Sequence, residues 1–395
     1  MKHTAAPFTT PKYVMAKPAG PLCNLDCKYC YYTEKSALLG KSAKLMHMSD
    51  ELLEEYIRQY IAIQPGAVLF TWHGGEPLLR SRDFYEKVLT MQRKYANGKQ
   101  IDNSIQTNGT LITDDWAKFL VDNHFLVGVS IDGPQDLHDT YRLSRSGQSS
   151  WSQVMQGIEI LNKHKVEWNA MAVVTHDTSQ RPLDFYNFFR AIDCNYIQFT
   201  PVVERLKAHA DGRHLASPID QEGVQMAPYS VTPKGWGTFL CAVFDEWLKH
   251  DLGQRFVQIF ESTLAGWVGV PPGLCTMAPV CGHAAVMECN GDVYSCDHFV
   301  FPEFKLGNIA DVPLSEMFKS PRQVAFGANK AKRLTAACKR CQWLSLCHGE
   351  CPRNRFAYSV DGEPGHNYLC EGYKMFFEHS ANFMQEEKRF ILANQ

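Results

Sequence analysis

The sequence has few features of membrane proteins or of nucleic-acid-binding proteins. No stretch approaches the roughly 18 uninterrupted apolar residues that a membrane span needs. The formal net charge of −2 differs from the clustered positive excess of proteins that bind nucleic acids. The N-terminal residues lack the compact apolar segment of a secretory signal peptide. We therefore expect a cytoplasmic protein with neither nucleic acid nor membrane among its partners.

Cysteine, by contrast, is abundant, with 14 in 395 residues. Disulfide frameworks are rare in a reducing compartment, so metal binding is the better interpretation. Three cysteines lie within Cys23–Cys30, Cys194 and Cys241 lie in the middle of the chain, and nine follow residue 270. This distribution predicts two separate metal-binding regions, one toward each end of the chain.

The first part of the chain alternates predicted strands and helices. Short segments rich in β-branched and aromatic residues predict six strands, at Tyr13–Lys17, Val68–Trp72, Asn103–Thr107, Val127–Ile131, Asn169–Val174 and Tyr196–Thr200. Apolar residues at helical spacing follow Ser49 and Thr113, and both residues are suited to cap a helix N-terminus. The repeated β-α units predict an α/β fold with a parallel sheet, either open and doubly wound or a partial barrel.

Polar motifs follow four of the predicted strands. The three-cysteine segment follows the first, His73–Pro77 the second, Asn108-Gly109 the third and Asp132–Pro134 the fourth. The carboxyl ends of the strands are where parallel β/α architectures build their active sites. The sequence therefore predicts an active site at that edge of the sheet.

The spacing Cys23-x3-Cys27-x2-Cys30 brings three thiolates together on one loop. A zinc site is the structural alternative, but structural zinc takes four protein ligands and no fourth ligand lies nearby in the sequence. Electron-transfer clusters also use four cysteines, so three ligands on a four-iron cluster would leave one iron open for chemistry.

This motif, with Tyr29 before its last cysteine, resembles the signature of radical S-adenosylmethionine enzymes. The resemblance implies a six-stranded partial barrel and a 4Fe-4S cluster whose open iron binds S-adenosylmethionine, which is cleaved to a 5′-deoxyadenosyl radical. Gly74, Gly75 and Glu76 resemble the second motif of that family, which contacts the amino group of the cofactor. By the same resemblance, further residues line the cofactor pocket: Gln106, Asn108 and Ser130.

The C-terminal cysteines follow a second pattern. Val286–Glu288 and Val293–Ser295 flank Asn290-Gly291, which predicts a β-hairpin with a type I′ turn. The spacing of the cysteines around this hairpin and beyond it resembles the SPASM extension of radical enzymes, which implies two further 4Fe-4S clusters. The eight implied ligands are Cys275, Cys281, Cys296 and Cys351 on one cluster, with Cys338, Cys341, Cys347 and Cys370 on the other.

A zinc ribbon is the alternative for this region, since Cys338-x2-Cys341 is also a zinc knuckle. The remaining cysteines, Cys194, Cys241 and Cys289, are expected to be buried core thiols. We expect a radical domain over residues 1–235, a helical connector over 236–270 and the auxiliary-cluster domain over 271–395.

A narrower resemblance is to anaerobic sulfatase-maturating enzymes. It rests on KPAGPLCNLDCKYCYY, WHGGEPLL, QTNGTLI, SIDGPQDLHDTYR and PPGLC with CNGDVYSCDHFV, and it covers both ends of the chain. It implies oxidation of a cysteine or serine in a sulfatase active-site sequence to Cα-formylglycine. The implied partners are an unfolded or nascent sulfatase with a Cys/Ser-x-Pro-x-Arg motif and an electron donor such as flavodoxin or ferredoxin.

Asp297 corresponds to the proposed base of that family, which takes the proton of the target thiol or hydroxyl. The alternative is that Asp297 only accepts hydrogen bonds near a cluster. Tyr32 is a further candidate for the substrate pocket, although an aromatic residue there often only packs. His138, Asp139 and Arg142 resemble a family segment, and a solvated helix start explains them nearly as well.

Two other functions fit parts of the pattern. Another SPASM enzyme could form thioether or carbon–carbon crosslinks in a peptide, but such enzymes often carry an added N-terminal recognition domain. A non-catalytic zinc module or electron carrier would explain the cysteines without the other motifs. The motifs shared across the whole chain favour the formylglycine-forming enzyme.

Overall fold

The computed structural model describes residues 11–32, 35, 47–209 and 212–394. The chain forms two compact units. The first comprises the residues up to Val129, Leu143–Trp168 and Gly282–Gly327, and the second comprises Ser130–Arg142, Asn169–Cys281 and the residues from Ala328 onward.

The strands are short and are distributed along the chain. In chain order they are β1 (Tyr13–Ala16), β2 (Val68–Trp72), β3 (Ile101–Thr107), β4 (Phe125–Ser130), β5 (Trp168–Val174), β6 (Tyr196–Pro201), β7 (Arg205–His209), β8 (Gly212–Leu215), β9 (Val224–Met226), β10 (Phe256–Val257), β11 (Ala284–Met287), β12 (Asp292–Tyr294), β13 (Lys305–Asn308), β14 (Ala357–Tyr358) and β15 (Pro364–His366). The six strands predicted from the sequence are confirmed as β1 to β6, with ends that differ by at most two residues.

The helices alternate with these strands in the first half of the chain. In chain order they are α1 (Asp50–Ile63), α2 (Arg82–Tyr95), α3 (Asp114–Asp122), α4 (Gln135–Tyr141), α5 (Trp151–Lys163), α6 (His176–Ser179), α7 (Pro182–Ala191), α8 (Pro233–His250), α9 (Gln258–Val268), α10 (Leu314–Lys319), α11 (Pro321–Lys332), α12 (Ala336–Lys339), α13 (Leu344–Cys347) and α14 (Cys370–Ala393). Within the described ranges, no helix combines the length and apolar composition of a membrane span.

The predicted N-caps of α1 and α3 are confirmed. Ser49 Oγ accepts a hydrogen bond from the Leu52 amide at 3.2 Å, and Thr113 Oγ1 accepts one from the Trp116 amide at 3.3 Å. Each bond satisfies one of the amides that a helix N-terminus leaves without an intrahelical partner.

In the first unit the strand order is β4-β3-β2-β1-β11-β12-β13. Neighbours from β4 to β1 are parallel, β1 pairs in parallel with β11, and β11 to β13 are antiparallel. Buried aromatic rings between α1, α2 and the sheet form the core, where Phe70 and Trp72 stack at 5.8 Å and the edge of Tyr56 meets Trp72 at 5.9 Å. Burial of such rings is a main source of stability.

The pairing of β1 with β11 carries the C-terminal hairpin onto the sheet. Its register runs from Tyr13↔Ala284 to Ala16↔Met287, and the Lys17 amide extends it by donating to the Met287 carbonyl at 3.0 Å. Parallel strands place their carboxyl ends at one edge. The residues that follow β1 and β11 are therefore neighbours.

The predicted hairpin is present, but the predicted type I′ turn is wrong. A type I′ turn needs positive φ at both central residues, whereas in this loop only Gly291 has one, at 87°. The Gly291 amide donates to the Glu288 carbonyl at 2.9 Å, which makes a three-residue loop of Cys289, Asn290 and Gly291. A type I turn closed by a left-handed glycine is the usual form of such a loop.

In the second unit, β10, β6 and β5 form a parallel set and β8, β7 and β9 an antiparallel one. Helices α8 and α14 pack closely because glycines meet where they cross. A Cβ at Gly372 would lie 2.2 Å from the Pro233 carbonyl oxygen, and one at Gly237 would lie 2.8 Å from the Gly372 Cα. Only glycine allows this approach of the two backbones.

Candidate functional site

The three predicted cluster ligands near the N-terminus lie on one loop directly after β1. The loop is fixed by backbone hydrogen bonds from Asp26 to Leu143, at 2.8 Å, and from Cys30 to Cys27, at 2.9 Å. Burial raises the pKa of the Cys23 thiol, and the nearby charges of Glu76 and Cys30 raise it further. Local backbone hydrogen bonds thus hold this loop together, while burial and the neighbouring negative charges disfavour the Cys23 thiolate.

The glycine motif after β2 runs against the cysteine loop. The Gly75 amide donates to Gly20 and the Glu76 amide to Leu22, both at 2.8 Å. A Cβ at Gly75 would lie 2.0 Å from the Leu22 carbonyl oxygen, and Gly74 has a φ of +128°. Both positions therefore require glycine.

Glu76 joins the turns after β2 and β3. Its fully buried carboxylate accepts hydrogen bonds at 2.8 Å from the Leu78 amide, the Thr107 hydroxyl and the Asn108 amide. These bonds fix the shape of the strand-end edge. Contact of Glu76 with a cofactor amino group stays a prediction.

The other predicted pocket residues lie at or near the ends of β3 and β4, except Tyr29, which lies on the cysteine loop. Asn108 Nδ2 lies 3.7 Å from Cys23 Sγ and donates to Asn24 Oδ1 at 2.8 Å. The Gln106 side chain covers Gly128, where a Cβ would lie 1.9 Å from Gln106 Oε1. Ser130 ends β4, and Tyr29 is buried on the cysteine loop.

The polar segment after β4 is largely buried, so a solvated helix start is wrong for His138 and Arg142. His138 is fully buried and its Nδ1 accepts a hydrogen bond from the Asp132 amide at 3.2 Å. Arg142 Nε lies 3.6 Å from Asp132 Oδ2, and Asp132 Oδ1 accepts from the Val173 amide at 3.0 Å. These residues fix the turn that follows β4.

Within the first unit, a buried lysine links the segment after β1 to the C-terminal hairpin. Lys17, directly after β1, is fully buried, and its Nζ lies 2.5 Å from Asp297 Oδ1 and 3.6 Å from Glu288 Oε1. The Tyr31 hydroxyl donates to Asp297 and the Tyr32 hydroxyl to Glu288. The Lys17 ammonium also lies over the Tyr32 ring, 3.5 Å from its centroid.

The Lys17 ammonium affects the pKa values of the Asp297 and Glu288 carboxyl groups differently. Burial alone would raise the pKa of the Asp297 carboxyl. The Lys17 ammonium outweighs burial and, with smaller contributions from His73 and His298, holds that pKa well below its usual range. The fully buried Glu288 has its pKa raised by burial, which Lys17 only partly opposes. Asp297 is therefore held in its ionised form.

The analysis of the sequence identified Asp297 and Tyr32 but not Lys17, Tyr31 or Glu288. Lys17 and Tyr31 lie inside the segment KPAGPLCNLDCKYCYY, whose family resemblance gave a weak signal for them. Glu288 directly precedes the hairpin loop and had no signal of its own. Only the pairing of β1 with β11 makes these residues neighbours.

In the second unit, four of the predicted C-terminal ligands line one pocket. They are Cys338, Cys341, Cys347 and Cys370. Trp343 and Phe377 add apolar walls, and His366 Nδ1 lies 3.5 Å from Cys338 Sγ. The structure thus brings together the complete set that the sequence assigned to one cluster.

Cys275 and Cys281 interact electrostatically with one another. Burial raises the pKa of both thiols, and the charge of Lys330 opposes that rise. Cys351 ends the loop that begins at Cys347. Cys296 follows β12 in the first unit, and its place on the same cluster as these cysteines stays a prediction.

The four-cysteine pocket fits an iron–sulfur cluster. A zinc ion would need its sulfur ligands about 2.3 Å from one point, whereas each thiolate of a four-iron cluster binds a different iron. In the described ranges, no three Cys, His, Asp or Glu side chains converge on one metal-ion position. Four thiols spread around one pocket suit the larger group.

The remaining cysteines do not join these groups. Cys194 and Cys289 are each 1% exposed, which confirms them as buried thiols. The prediction is wrong for Cys241, which is only half-buried on α8.

Two family models match the chain. The Radical SAM superfamily matches residues 18–189, and the SPASM iron–sulfur cluster-binding domain matches residues 275–342. The matched ranges contain the N-terminal cysteine loop and most of the C-terminal cysteines.

Curated relatives and a solved structure are similar over nearly the whole chain. The serine-type anaerobic sulfatase-maturating enzyme of Bacteroides thetaiotaomicron is 57% identical over 99% of this chain and 95% of its own length. The cysteine-type enzyme of Clostridium perfringens strain 13 is 35% identical over 94% of this chain and 96% of its own. The structure of native anSMEcpe with bound AdoMet and the Cp18Cys peptide has a TM-score of 0.84, at 33% identity, over 97% of this chain and 100% of that one.

These similarities confirm the predicted fold, in which a partial barrel of parallel strands is joined to a SPASM domain. They also confirm an enzyme that uses S-adenosylmethionine and 4Fe-4S chemistry, so the zinc module and the non-catalytic carrier are wrong. The chain belongs to the anaerobic sulfatase-maturating enzymes of the Radical SAM superfamily.

Proposed function

We propose that this chain oxidises a serine or cysteine side chain of a sulfatase to Cα-formylglycine, within a Cys/Ser-x-Pro-x-Arg segment of the unfolded or nascent polypeptide. The observation that carries the proposal is the hydrogen bond from Tyr31 to Asp297. Tyr31 directly follows Cys30, so this bond ties an ionised carboxylate to the N-terminal cysteine loop.

The proposed function requires three iron–sulfur clusters and S-adenosylmethionine, each held by named residues. Once bound, a cluster on Cys23, Cys27 and Cys30 with S-adenosylmethionine supplies abstraction of a hydrogen atom from Cβ of the target, and two C-terminal clusters supply an electron acceptor. The proposed lining of the S-adenosylmethionine pocket is Tyr29, Gly74, Gly75, Glu76, Gln106, Asn108 and Ser130. The proposed C-terminal ligand sets are Cys275, Cys281, Cys296 and Cys351, and Cys338, Cys341, Cys347 and Cys370.

Asp297 is the proposed base. Converting a serine side chain to an aldehyde removes one hydrogen atom from Cβ, one proton from the hydroxyl and one electron. Asp297 takes the proton, for which it must be ionised and held in place. Lys17 meets both needs, since its ammonium contacts Asp297 Oδ1 at 2.5 Å while Tyr31 binds the other oxygen.

A cytoplasmic location and an electron donor such as flavodoxin or ferredoxin complete the proposal. The proposed ligands are thiols, which a reducing compartment keeps free of disulfides. The radical step consumes an electron, which a protein carrier of that class supplies.

A peptide assay tests the function directly. With S-adenosylmethionine and a reductant, a Ser-x-Pro-x-Arg peptide should lose about 2 Da and the matching cysteine peptide about 18 Da, because the side chain becomes a carbonyl. Mass spectrometry with and without a hydrazine that traps aldehydes makes the measurement, and an Ala-x-Pro-x-Arg peptide is the control. A cysteine peptide that loses only about 2 Da and does not react with hydrazine would favour the crosslinking alternative.

Asp297→Asn tests the base. The variant should keep its iron and still cleave S-adenosylmethionine, while aldehyde formation falls by about 10²- to 10⁴-fold, the usual contribution of a general base. Peptide mass spectrometry and 5′-deoxyadenosine release are measured on the same sample. Asp311→Asn, which changes an exposed carboxylate in the same unit, is the matched control. Near-normal aldehyde from Asp297→Asn would remove Asp297 from the mechanism.

Lys17→Met tests the buried cation. Removing it leaves two neighbouring carboxyl groups without their counter-charge, which should cost about 3–5 kcal/mol in the free energy of unfolding. Urea titration of the cluster-loaded protein measures the loss. The double variant Lys17→Met/Glu288→Gln should regain part of it, because one of the two acids is then neutral.

Lys94→Met is the control for this measurement. It removes an exposed lysine that pairs with Glu54 on the surface, and solvent-exposed pairs contribute little. A loss for Lys17→Met as small as the loss for Lys94→Met would contradict the proposed role of Lys17.

A further inference from the structure

The loop between Cys347 and Cys351 has an unusual backbone. His348, Gly349 and Glu350 have successive positive φ angles of 47°, 72° and 53°. Residues other than glycine in this region cost about 1–2 kcal/mol each, so such a conformation persists only where the surroundings impose it.

Arg355 imposes this conformation. Its guanidinium donates to the carbonyls of Gly349, at 2.7 Å, His348, at 2.8 Å, and Glu350, at 3.2 Å. A Cβ at Gly349 would lie 2.6 Å from Arg355 Nη2, so the guanidinium packs directly on the loop. One rigid fork of donors therefore holds three consecutive peptide groups.

The same guanidinium reaches the turn that carries Cys275. Arg355 Nη1 donates to the Lys330 carbonyl at 2.6 Å. The fully buried Lys330 ammonium donates in turn to the carbonyls of Cys275, at 2.8 Å, and Thr276, at 2.7 Å. Arg355 thus connects the loop between Cys347 and Cys351 to the turn at Cys275.

Two charged side chains, Arg355 and Glu350, lie near these cysteines. The Arg355 cation interacts electrostatically with the thiols of Cys338, Cys347 and Cys351. The opposing charge nearby is Glu350, which is buried and held by hydrogen bonds from Asn354 at 3.1 Å and Asn367 at 2.6 Å. The Arg355 cation therefore interacts electrostatically with Glu350 as well as with the three thiols.

We propose that Arg355 is a positioning residue for electron transfer, which fixes the loop shared by the two C-terminal clusters and raises the reduction potential of both. This rests on the cluster assignment under the proposed function, in which Cys347 and Cys351 bind different clusters. A cluster becomes more negative on reduction, so a nearby, partly buried cation such as Arg355 stabilises the reduced form. Net charge and hydrogen bonding are known to set such potentials.

Redox titration followed by electron paramagnetic resonance tests this role on the full-length, anaerobically reconstituted protein. In Arg355→Met, with iron content equal to wild type, both C-terminal clusters should shift to lower potential. Arg355→Lys keeps the charge, so its potentials should stay close to wild type. Arg340→Met is the control, because Arg340 is next to Cys341 in the sequence but its side chain is 62% exposed and screened by solvent.

Unchanged potentials in Arg355→Met, a shift confined to one cluster, or an equal shift in Arg340→Met would overturn the proposal. Should Arg355→Met lose iron, Arg355→Lys decides: wild-type potentials support the role of the charge, and shifted potentials overturn it. The outcome of the peptide assay does not depend on the outcome of these titrations. Wild-type protein that shows the expected shifts but forms no aldehyde would contradict the proposed function and leave the role of Arg355 standing.

Discussion

The parallel pairing of β1 with β11 is the constraint on which the first unit depends. It aligns Tyr13–Ala16 with Ala284–Met287, residues separated by most of the chain. Because parallel strands end at the same edge, Lys17 and Glu288 emerge side by side. The hairpin then returns Asp297 to the same place, beside the loop that carries the N-terminal cysteines. The proposed function places radical generation and proton removal together at this edge of the sheet.

The second constraint is electrostatic. One fully buried ammonium lies between two carboxyl groups and contacts them unequally, at 2.5 Å for Asp297 and 3.6 Å for Glu288. Burying charges is costly unless they are paired and hydrogen-bonded. The hydroxyls of Tyr31 and Tyr32 each donate to one oxygen of these acids, Tyr31 to Asp297 and Tyr32 to Glu288. The unequal contacts contribute to opposite pKa shifts, downward for Asp297 and upward for Glu288, and such a difference is what the proposed base requires.

Sequence reasoning recovered the local features of this molecule. Strand positions and helix caps follow from residues close together in the chain, and both agree with the structure. It missed Lys17 and Glu288 because their importance comes from a long-range pairing that no local pattern encodes. The hairpin loop was predicted with the wrong turn, since Asn290-Gly291 also fits a three-residue loop with glycine last. Arg355 had no sequence signal, because its bonds are to backbone carbonyls.

The most direct test of this account is a crystal structure of the cluster-loaded enzyme with S-adenosylmethionine and a serine peptide. We expect the target hydroxyl oxygen within about 2.6–3.2 Å of the Asp297 carboxylate, or one water away, with Lys17 still bound to that carboxylate. A target hydroxyl placed out of reach of Asp297, or a Lys17 side chain turned away from it, would contradict the account.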